Sequence, residues 1–433
     1  MELFSKFSPN VVNLQQDCDA KDVEAIVIDS RFLTKASDKF LFFFVRKWFI
    51  DWVKKPLSKR YGNVKALALY PNYIEPKIFY SLDTFSTQYA ERNLLPVEKK
   101  KTKKAVKWLW SLFNDLHPAV ESFAICREDI ILDFDVIKAR GYQFDSFIQI
   151  YTSNPVTLLF NNPKFPYLVA HQVPLEKAQA EFAKKQRLYE LFEGIIPKPI
   201  EVIELPQTSI LLEQGLDAMP WFNLAAQGPA FYLAAKQKAK QALFTFSERV
   251  SAEQDWCKSV ILKQALTDQF AEILPIKALP QKTVTFINKL IELNEPWMNQ
   301  PLNSHFQHGD FCINNLMFSD HIAFIIDLED FGRNVMPFQD DISLAISFCA
   351  FEGQTSFDHL LEQLTFIGNK ALMERGNSFI LALYVFQLLY KLGHWGNQRN
   401  RQNHCKEIEQ LLNGLVDPAV TISPSQCLRP TWR

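Results

Sequence analysis

The sequence predicts an α+β protein: a small antiparallel sheet with one helix, then a mainly helical carboxyl-terminal lobe, with an α/β extension in front. Three observations predict it. Runs of alternating apolar residues at 145–151, 156–161 and 165–172 lead into an amphipathic segment at 175–192. Apolar spacing near 3.6 marks helices at 229–250, 260–274, 284–294, 344–351, 357–368, 378–392 and 406–415. Between the helices before and after it lies the stretch His308-Gly309-Asp310-Phe311-Cys312-Ile313-Asn314-Asn315, followed by Ile325-Ile326-Asp327-Leu328-Glu329.

A chain of 433 residues has room for two or three domains with proper cores. We place them at 1–140 (an extension of open role), 141–215 (the sheet-bearing lobe) and 216–433 (the helical lobe). In the extension, Glu24-Ala25-Ile26-Val27-Ile28-Asp29 and Ala66-Leu67-Ala68-Leu69-Tyr70 read as strands. The stretch from Phe40 to Val53 is dense in aromatics, interrupted by Arg46, Lys47 and Asp51. Lys99, Lys100, Lys101, Lys103, Lys104 and Lys107 run into Trp108-Leu109-Trp110. Such a pattern suits a buried helix with a solvated charged edge, and equally a weak contact with a membrane surface. An added domain of this kind would recognise a large acceptor, such as a lipid-linked sugar, or serve as a structural cap; the sequence leaves these open.

In the sheet-bearing lobe, Asn161-Asn162-Pro163-Lys164 is a hairpin turn, Ile196-Pro197-Lys198-Pro199 a proline bend after the helix, and Thr208 to Glu213 a further strand.

Composition narrows the function. The formal net charge of −1 implies no nucleic-acid partner and no strongly acidic one. With 37 Phe against 13 Gly the chain reads as helix-rich and well packed. Cysteines at 18, 126, 257, 312, 349, 405 and 427 form no Cys-x-x-Cys pair, which argues against a disulfide framework or a zinc site and for a reducing compartment. Met1-Glu2-Leu3-Phe4-Ser5-Lys6 is not followed by an apolar run, and no uncharged apolar stretch reaches the roughly 18 residues of a membrane span. The expected location is cytoplasmic.

The acids around residue 310 suit one chemistry. Moving a phosphoryl group from ATP to a hydroxyl needs a carboxylate to orient and deprotonate the acceptor, and oxygen ligands to hold Mg²⁺ on the phosphates. Asp310 fits the first task; Asn315 and Asp327 fit the second. Leu316-Met317-Phe318 and Ala323-Phe324-Ile325-Ile326 read as strands joined by Ser319-Asp320-His321, a hairpin that brings Asn315 and Asp327 side by side. Asn314 competes with Asn315 as the ligand; the five-residue spacing from Asp310 favours Asn315. Read singly, His-Gly-Asp is also an ordinary turn, and Asp-x-Glu an ordinary strand end with solvated acids.

Taken together, these residues resemble the catalytic and metal-binding loops of the aminoglycoside phosphotransferase and choline kinase-like family, a branch of the protein-kinase-like fold. Pro337 and Asp341-Ile342-Ser343 resemble the element that follows in that family. The resemblance implies a two-lobed kinase-like fold over roughly residues 140–433, with ATP and Mg²⁺ as cofactors. It implies Asp310 as proton acceptor, Asn315 and Asp327 as metal ligands, Glu329 as an auxiliary acid, and His308 and Asp341 as supports of the loop. For the nucleotide it implies Ser153 and Asn154 in the phosphate-covering turn, His171 at the end of the third strand, Glu181 (with Glu176 next) on the following helix, and Glu213 at the hinge. The sequence departs from the pattern at His171, where the family has a lysine. An imidazole with a pKa near ~6.5 is mostly neutral at pH 7 and anchors phosphate less well. The turn Tyr151-Thr152-Ser153-Asn154-Pro155 also lacks the usual glycines.

Three functions are consistent with this reading. The first is an ATP- and Mg²⁺-dependent phosphotransferase (a kinase) acting on a hydroxyl of a small molecule or glycan. The second is a catalytically impaired kinase-fold binding or scaffold protein, and the third is AMP transfer by the same fold. For the acceptor, the carboxyl-terminal lobe offers acids (Asp340, Asp341, Glu352, Asp358), which suit cationic amines, and aromatics (Trp395, Tyr384, Tyr390, Phe386), which suit cation–π contact. Nothing in the sequence ranks them, and the oligomeric state is not legible.

Overall fold

The computed structural model describes residues 10–13, 24–29, 50–51, 54–55, 58–59, 64–70, 78–95, 120, 122–127, 134–150, 155–162, 164–396 and 402–416. The basic run from Lys99 to Lys107, Trp108 to Trp110, and most of the aromatic stretch from Phe40 to Val53 lie outside the described residues. The chain forms two compact units: residues up to Glu190 with Pro197–Gly228, and Leu191–Ile196 with residues from Pro229 onward.

Among the described residues the first unit is built on a ten-stranded antiparallel sheet. In chain order its strands are β1 (Asn10–Asn13), β2 (Glu24–Asp29), β3 (Val64–Tyr70), β4 (Ile78–Ser81), β5 (Ser122–Arg127), β6 (Ser146–Ile150), β7 (Val156–Phe160), β8 (Leu168–Pro174), β9 (Pro199–Glu204) and β10 (Thr208–Gln214). Their spatial order is β1-β2-β5-β3-β4-β6-β7-β8-β10-β9. The sheet therefore runs without a break past residue 140: β4 pairs with β6 through Ile78↔Ile150, Phe79↔Gln149 and Tyr80↔Ile148.

From β3 to β7 both faces of this sheet are buried, successive side chains pointing to opposite sides. Ala66 and Ala68 of β3, Ile148 and Ile150 of β6, and Leu158 and Phe160 of β7 pack with Tyr89 and Ala90 of α1 (Thr84–Asn93). The alternate residues Leu67, Leu69, Phe147 and Leu159 pack with Phe134 and Ile137 of α2 (Phe134–Ala139). Helix α1 starts where Asp83 Oδ1 accepts the backbone N–H groups of Phe85 and Ser86, each at 3.1 Å, a side-chain N-cap. The Asn161–Lys164 turn closes as Asn162 Oδ1 accepts the Lys164 N–H at 3.0 Å. Helix α3 (Leu175–Leu191) follows β8. The proline bend continues into β9, an edge strand that the sequence reading did not anticipate; Pro199, at its first residue, is where a residue without an N–H does least harm. A further helix, α4 (Trp221–Gln227), ends this unit.

The second unit is mainly helical: α5 (Pro229–Ala252), α6 (Leu262–Ile273), α7 (Gln281–Ile291), α8 (Gln339–Glu352), α9 (Phe357–Ile367), α10 (Asn377–Gly396) and α11 (Gln402–Gly414). Helix α10 is its axis, with Phe379, Ile380, Leu383, Val385, Leu388, Leu389 and Leu392 all buried, and with α6, α8 and α11 packed on it. A helix apolar on so many sides requires neighbours all round. The sequence-derived helices fall within a few residues of these. The strand pair β11 (Cys257–Ile261) and β12 (Pro301–His305), joined by Cys257↔His305 through Ile261↔Pro301, was not foreseen. Among the described residues no helix is long and apolar enough to cross a membrane.

Candidate functional site

The stretch from His308 lies in the second unit. Strands β13 (Leu316–Phe318) and β14 (Ala323–Ile325) pair antiparallel through Leu316↔Ile325, Met317↔Phe324 and Phe318↔Ala323. The turn closes at Ser319, whose N–H donates to Ile322 O at 3.0 Å while its Oγ accepts the Ile322 N–H at 3.1 Å. At the open end the Ile326 N–H donates to Asn315 O at 3.0 Å, so Asn315 and Asp327 leave the hairpin as adjacent residues. Asp327 has φ +61°, a left-handed conformation that a residue with a Cβ adopts at a cost of ~1–3 kcal/mol. Packing of the hairpin residues Leu316, Phe318, Ala323 and Ile325, all buried, supports that cost.

Asn315 is turned by Asp310. Its Nδ2 donates to Asp310 O at 2.9 Å and to Asp310 Oδ2 at 3.3 Å. With the NH₂ edge committed in this way, the amide oxygen lies on the other edge of the side chain, as an acceptor or ligand atom. The Asp310 carboxylate remains 26% exposed, and its Oδ1 takes the Lys391 ammonium at 3.1 Å.

His308 is fully buried. Its Nδ1 accepts the Asp310 N–H at 3.4 Å and its Nε2 donates to Ile326 O at 3.1 Å, so one neutral imidazole ties the aspartate loop to the residue before Asp327. Burial drives its pKa down, which keeps it in that neutral form. Gly309 has φ +90°, and a Cβ there would stand 2.9 Å from Asp330 O; the loop passes too close to Asp330 for any other residue.

The sequence reading placed Asp341 beneath this loop; the structure puts Asp340 there. Asp340 Oδ2 accepts the His308 N–H at 2.7 Å and Oδ1 accepts the Gly309 N–H at 3.2 Å. Asp341, one residue further round α8, instead accepts from Asn369 Nδ2 at 3.0 Å. A one-residue step along a helix turns a side chain by about 100°. Burial pushes the Asp340 carboxyl up to about 7 against the pull of its two N–H donors, and pushes that of Asp341 up to about 6.

Around Asp310 the last turns of α10 contribute Tyr390, Lys391, His394 and Trp395. Lys391 lies over the Trp395 ring, 5.2 Å from its centroid, and Tyr390 stacks on His394 at 6.0 Å. His394 Nε2 is 3.4 Å from Asp330 Oδ2, and Arg333 Nη1 is 2.9 Å from Asp330 Oδ1. Lys391 and Asp330 escaped the sequence reading: a lone lysine 81 residues from Asp310 gives no spacing signal, and only the packing of α10 brings it in.

The acids proposed for an acceptor pocket are mostly committed elsewhere. Glu352 pairs with buried Lys236 at 2.8 Å and His359 at 3.0 Å; Asp340 and Asp341 are buried; Asp358 is exposed in the first turn of α9. Of the aromatics, Tyr384 and Phe386 are core residues, whereas Tyr390 and Trp395 are partly exposed.

In the first unit, Ser153 and Asn154 lie outside the described residues. His171 on β8 is 2.9 Å from Glu213 Oε2, and Lys185 on α3 is 2.5 Å from Glu213 Oε1. The carboxylate against His171 is thus that of Glu213 on β10. Glu181 instead pairs with Lys184 along the exposed side of α3, at 3.0 Å. Burial alone would raise the Glu213 carboxyl, but Lys185 and His171 outweigh it and hold it at about 2. Strand and helix are therefore bridged with the anion on the strand and the cation on the helix.

A metal suited to the second unit is one that takes oxygen ligands. Among the described residues no group of three or more His, Cys, Asp or Glu converges, so no all-protein cage is present. An amide oxygen and a carboxylate at one hairpin end match Mg²⁺, which takes one or two protein oxygens and fills the rest with water and phosphate.

No protein-family model matches the chain. No curated protein sequence matches it. Among solved structures it is similar to a thermostable mutant of aminoglycoside phosphotransferase APH(4)-Ia in ternary complex with ADP and hygromycin B, at 12% identity and TM-score 0.47, covering 67% of this chain and 99% of that one. It is similar to a choline/ethanolamine kinase family protein from Mesorhizobium loti at 14% identity and TM-score 0.43, covering 69% and 98%. It is also similar to a protein described as a fructosamine-3-kinase from Haemophilus somnus, at 12% identity and TM-score 0.41, covering 65% and 95%. These neighbours are small-molecule kinases; similarity of this degree assigns no residue roles.

Proposed function

We infer that the chain is a phosphotransferase that moves the γ-phosphoryl group of ATP, with Mg²⁺, to a hydroxyl of a small molecule or glycan, in the cytoplasm. The observation that supports this best is the contact between Asp310 and the Asn315 amide at the hairpin end from which Asp327 also departs. Asp310, partly exposed, orients the acceptor hydroxyl and takes its proton late in transfer. A carboxylate base suffices because the transition state is loose and stabilisation comes mainly from positioning and positive charge. Mg²⁺, when bound, supplies positive charge to the nucleotide phosphates; Asn315 and Asp327 are its ligands, with Glu329 auxiliary. His308 and Asp340 hold the loop. Ser153, Asn154, His171 and Glu213 are proposed for the nucleotide, with Lys185 added as the ammonium nearest His171's partner.

One observation favours a second reading, a binding module without turnover. The position where a strand lysine would anchor phosphate is His171, and Glu213 already engages both His171 and Lys185.

The purified full chain with Mg²⁺ and ATP separates the readings. A Mg²⁺-dependent rise in melting temperature with ATP consumption that Asp310→Ala abolishes supports the kinase. No shift with any nucleotide supports the binding module. Product masses gaining AMP instead of phosphate would move the assignment to AMP transfer, and wild-type turnover by Asp310→Ala would end the kinase reading.

A further inference from the structure

Lys391, from a helix outside the two loops, contacts the Asp310 carboxylate directly. Its ammonium is 3.1 Å from Asp310 Oδ1, and its side chain is 11% exposed. Three features fix it there. Leu388, Leu389 and Leu392 on the same helix are fully buried, so the backbone of α10 is locked. The Trp395 ring lies under the ammonium at 5.2 Å. The loop closes over the other end of the side chain through the Asp310 contact itself, and Lys391 as a whole is buried.

Desolvating an ammonium is costly, and an ion pair at a partly exposed carboxylate returns about 0–1 kcal/mol. Stability alone therefore gives little reason for a lysine at this point. Its position against a base that must change charge gives one.

Resting on the phosphotransferase reading above, we propose that Lys391 positions the Asp310 carboxylate and acts as the counter-charge that follows the reaction. In the ground state it holds Oδ1, which, with Asn315 on Oδ2, fixes the plane of the carboxylate. During transfer the acceptor oxygen forms its bond to the γ-phosphorus and the bond from that phosphorus to the bridging oxygen breaks, its electron pair leaving on ADP. The hydroxyl proton passes to Asp310. As Asp310 becomes neutral, its carboxylate no longer offsets the Lys391 charge, whose field then acts on the negative phosphoryl oxygens at the moment their charge is in motion. The effect belongs to the transition state and not to nucleotide binding.

The test uses the full chain with Mg²⁺ and ATP, with phosphate release to water as the acceptor-independent probe. Lys391→Met is expected to lower kcat by about 10²-fold, with the Kd for Mg·ATP, measured by calorimetry, within about threefold of wild type. Lys391→Arg, which keeps the charge, is expected to recover at least a tenth of the wild-type kcat. If Lys391→Met fails to fold by circular dichroism, Lys391→Gln replaces it with the same expectation. A folded Lys391→Met or Lys391→Gln with kcat within twofold of wild type, while Asp310→Asn is inactive, overturns the role of Lys391 and leaves the phosphotransferase standing. Equal loss in Lys391→Arg also overturns it, because charge would then not be what matters. Phosphate release by Asp310→Asn at the wild-type rate, or none by wild type, overturns both.

Discussion

The carboxylate of Asp340 accepts the backbone N–H of His308 at 2.7 Å and that of Gly309 at 3.2 Å, so an acid at the start of α8 sets the path of the loop that presents Asp310. Both donors are buried. Asp340→Ala leaves them without an acceptor, and each such group costs about 1–3 kcal/mol. Urea unfolding is expected to show a loss of about 2–6 kcal/mol for the two donors together, and Asp340→Asn, which keeps one acceptor, a smaller one. Equal stability of Asp340→Ala and wild type would show that the loop does not depend on this acid.

Gly309→Ala tests the close approach to Asp330 directly. With φ at +90° and a Cβ arriving 2.9 Å from a backbone oxygen, neither the rotamer nor a flexible neighbour relieves the clash. The expected cost is about 1–3 kcal/mol, with loss of phosphate release. Gly141→Ala, at φ +92° but in open space, is the control for strain alone.

Asp327→Asn keeps an oxygen ligand and removes its charge. Phosphate release at saturating ATP is expected to need at least about tenfold more Mg²⁺ than wild type. An unchanged Mg²⁺ dependence would remove Asp327 from the metal site.

Two carboxylates predict opposite pH dependences. Asp341, at about 6 in the folded chain against 3.8 unfolded, holds a proton that the unfolded chain has lost, so its contribution is present below pH 3.8 and is lost as pH rises through 6. Glu213, at about 2 against 4.5, contributes above pH 4.5 and loses that contribution as pH falls towards 2. Urea titrations are expected to show Asp341→Asn flattening the decline between pH 4 and 6, by up to about 3 kcal/mol. Glu213→Gln is expected to flatten the loss on the acid side. The same slope in variant and wild type would refute either assignment.

Much of the molecule was legible in the chain. Periodicity located the helices of the second unit and strands β6, β7, β8 and β10, because these segments bury one face or both and their apolar residues recur accordingly. The hairpin of β13 and β14 was legible because its strands are apolar and its turn is Ser-Asp-His. Strand β9 was hidden by its proline, and the joining of β4 to β6 had no local signal, since pairing between strands 68 or more residues apart is decided by the sheet. In the site, the spacing of Asp310, Asn315 and Asp327 is a local property of loop and hairpin. The acid beneath the loop is Asp340 and not its neighbour Asp341, because a helix start fixes only which turn an acid lies on, and the packing of α8 fixes which way it faces.

The sequence by itself determined the order of elements and the chemical types at the loop: an acid, an amide and a second acid on short apolar strands. Tertiary structure alone decided which charges meet. Lys391 reaches Asp310, Asp340 reaches the His308 and Gly309 amides, and Lys185 with His171 closes on Glu213, each across at least 28 residues. Such pairs leave no trace in local pattern because the energy selecting them comes from burial of the helices and strands that hold them, and only the packed chain brings those surfaces together.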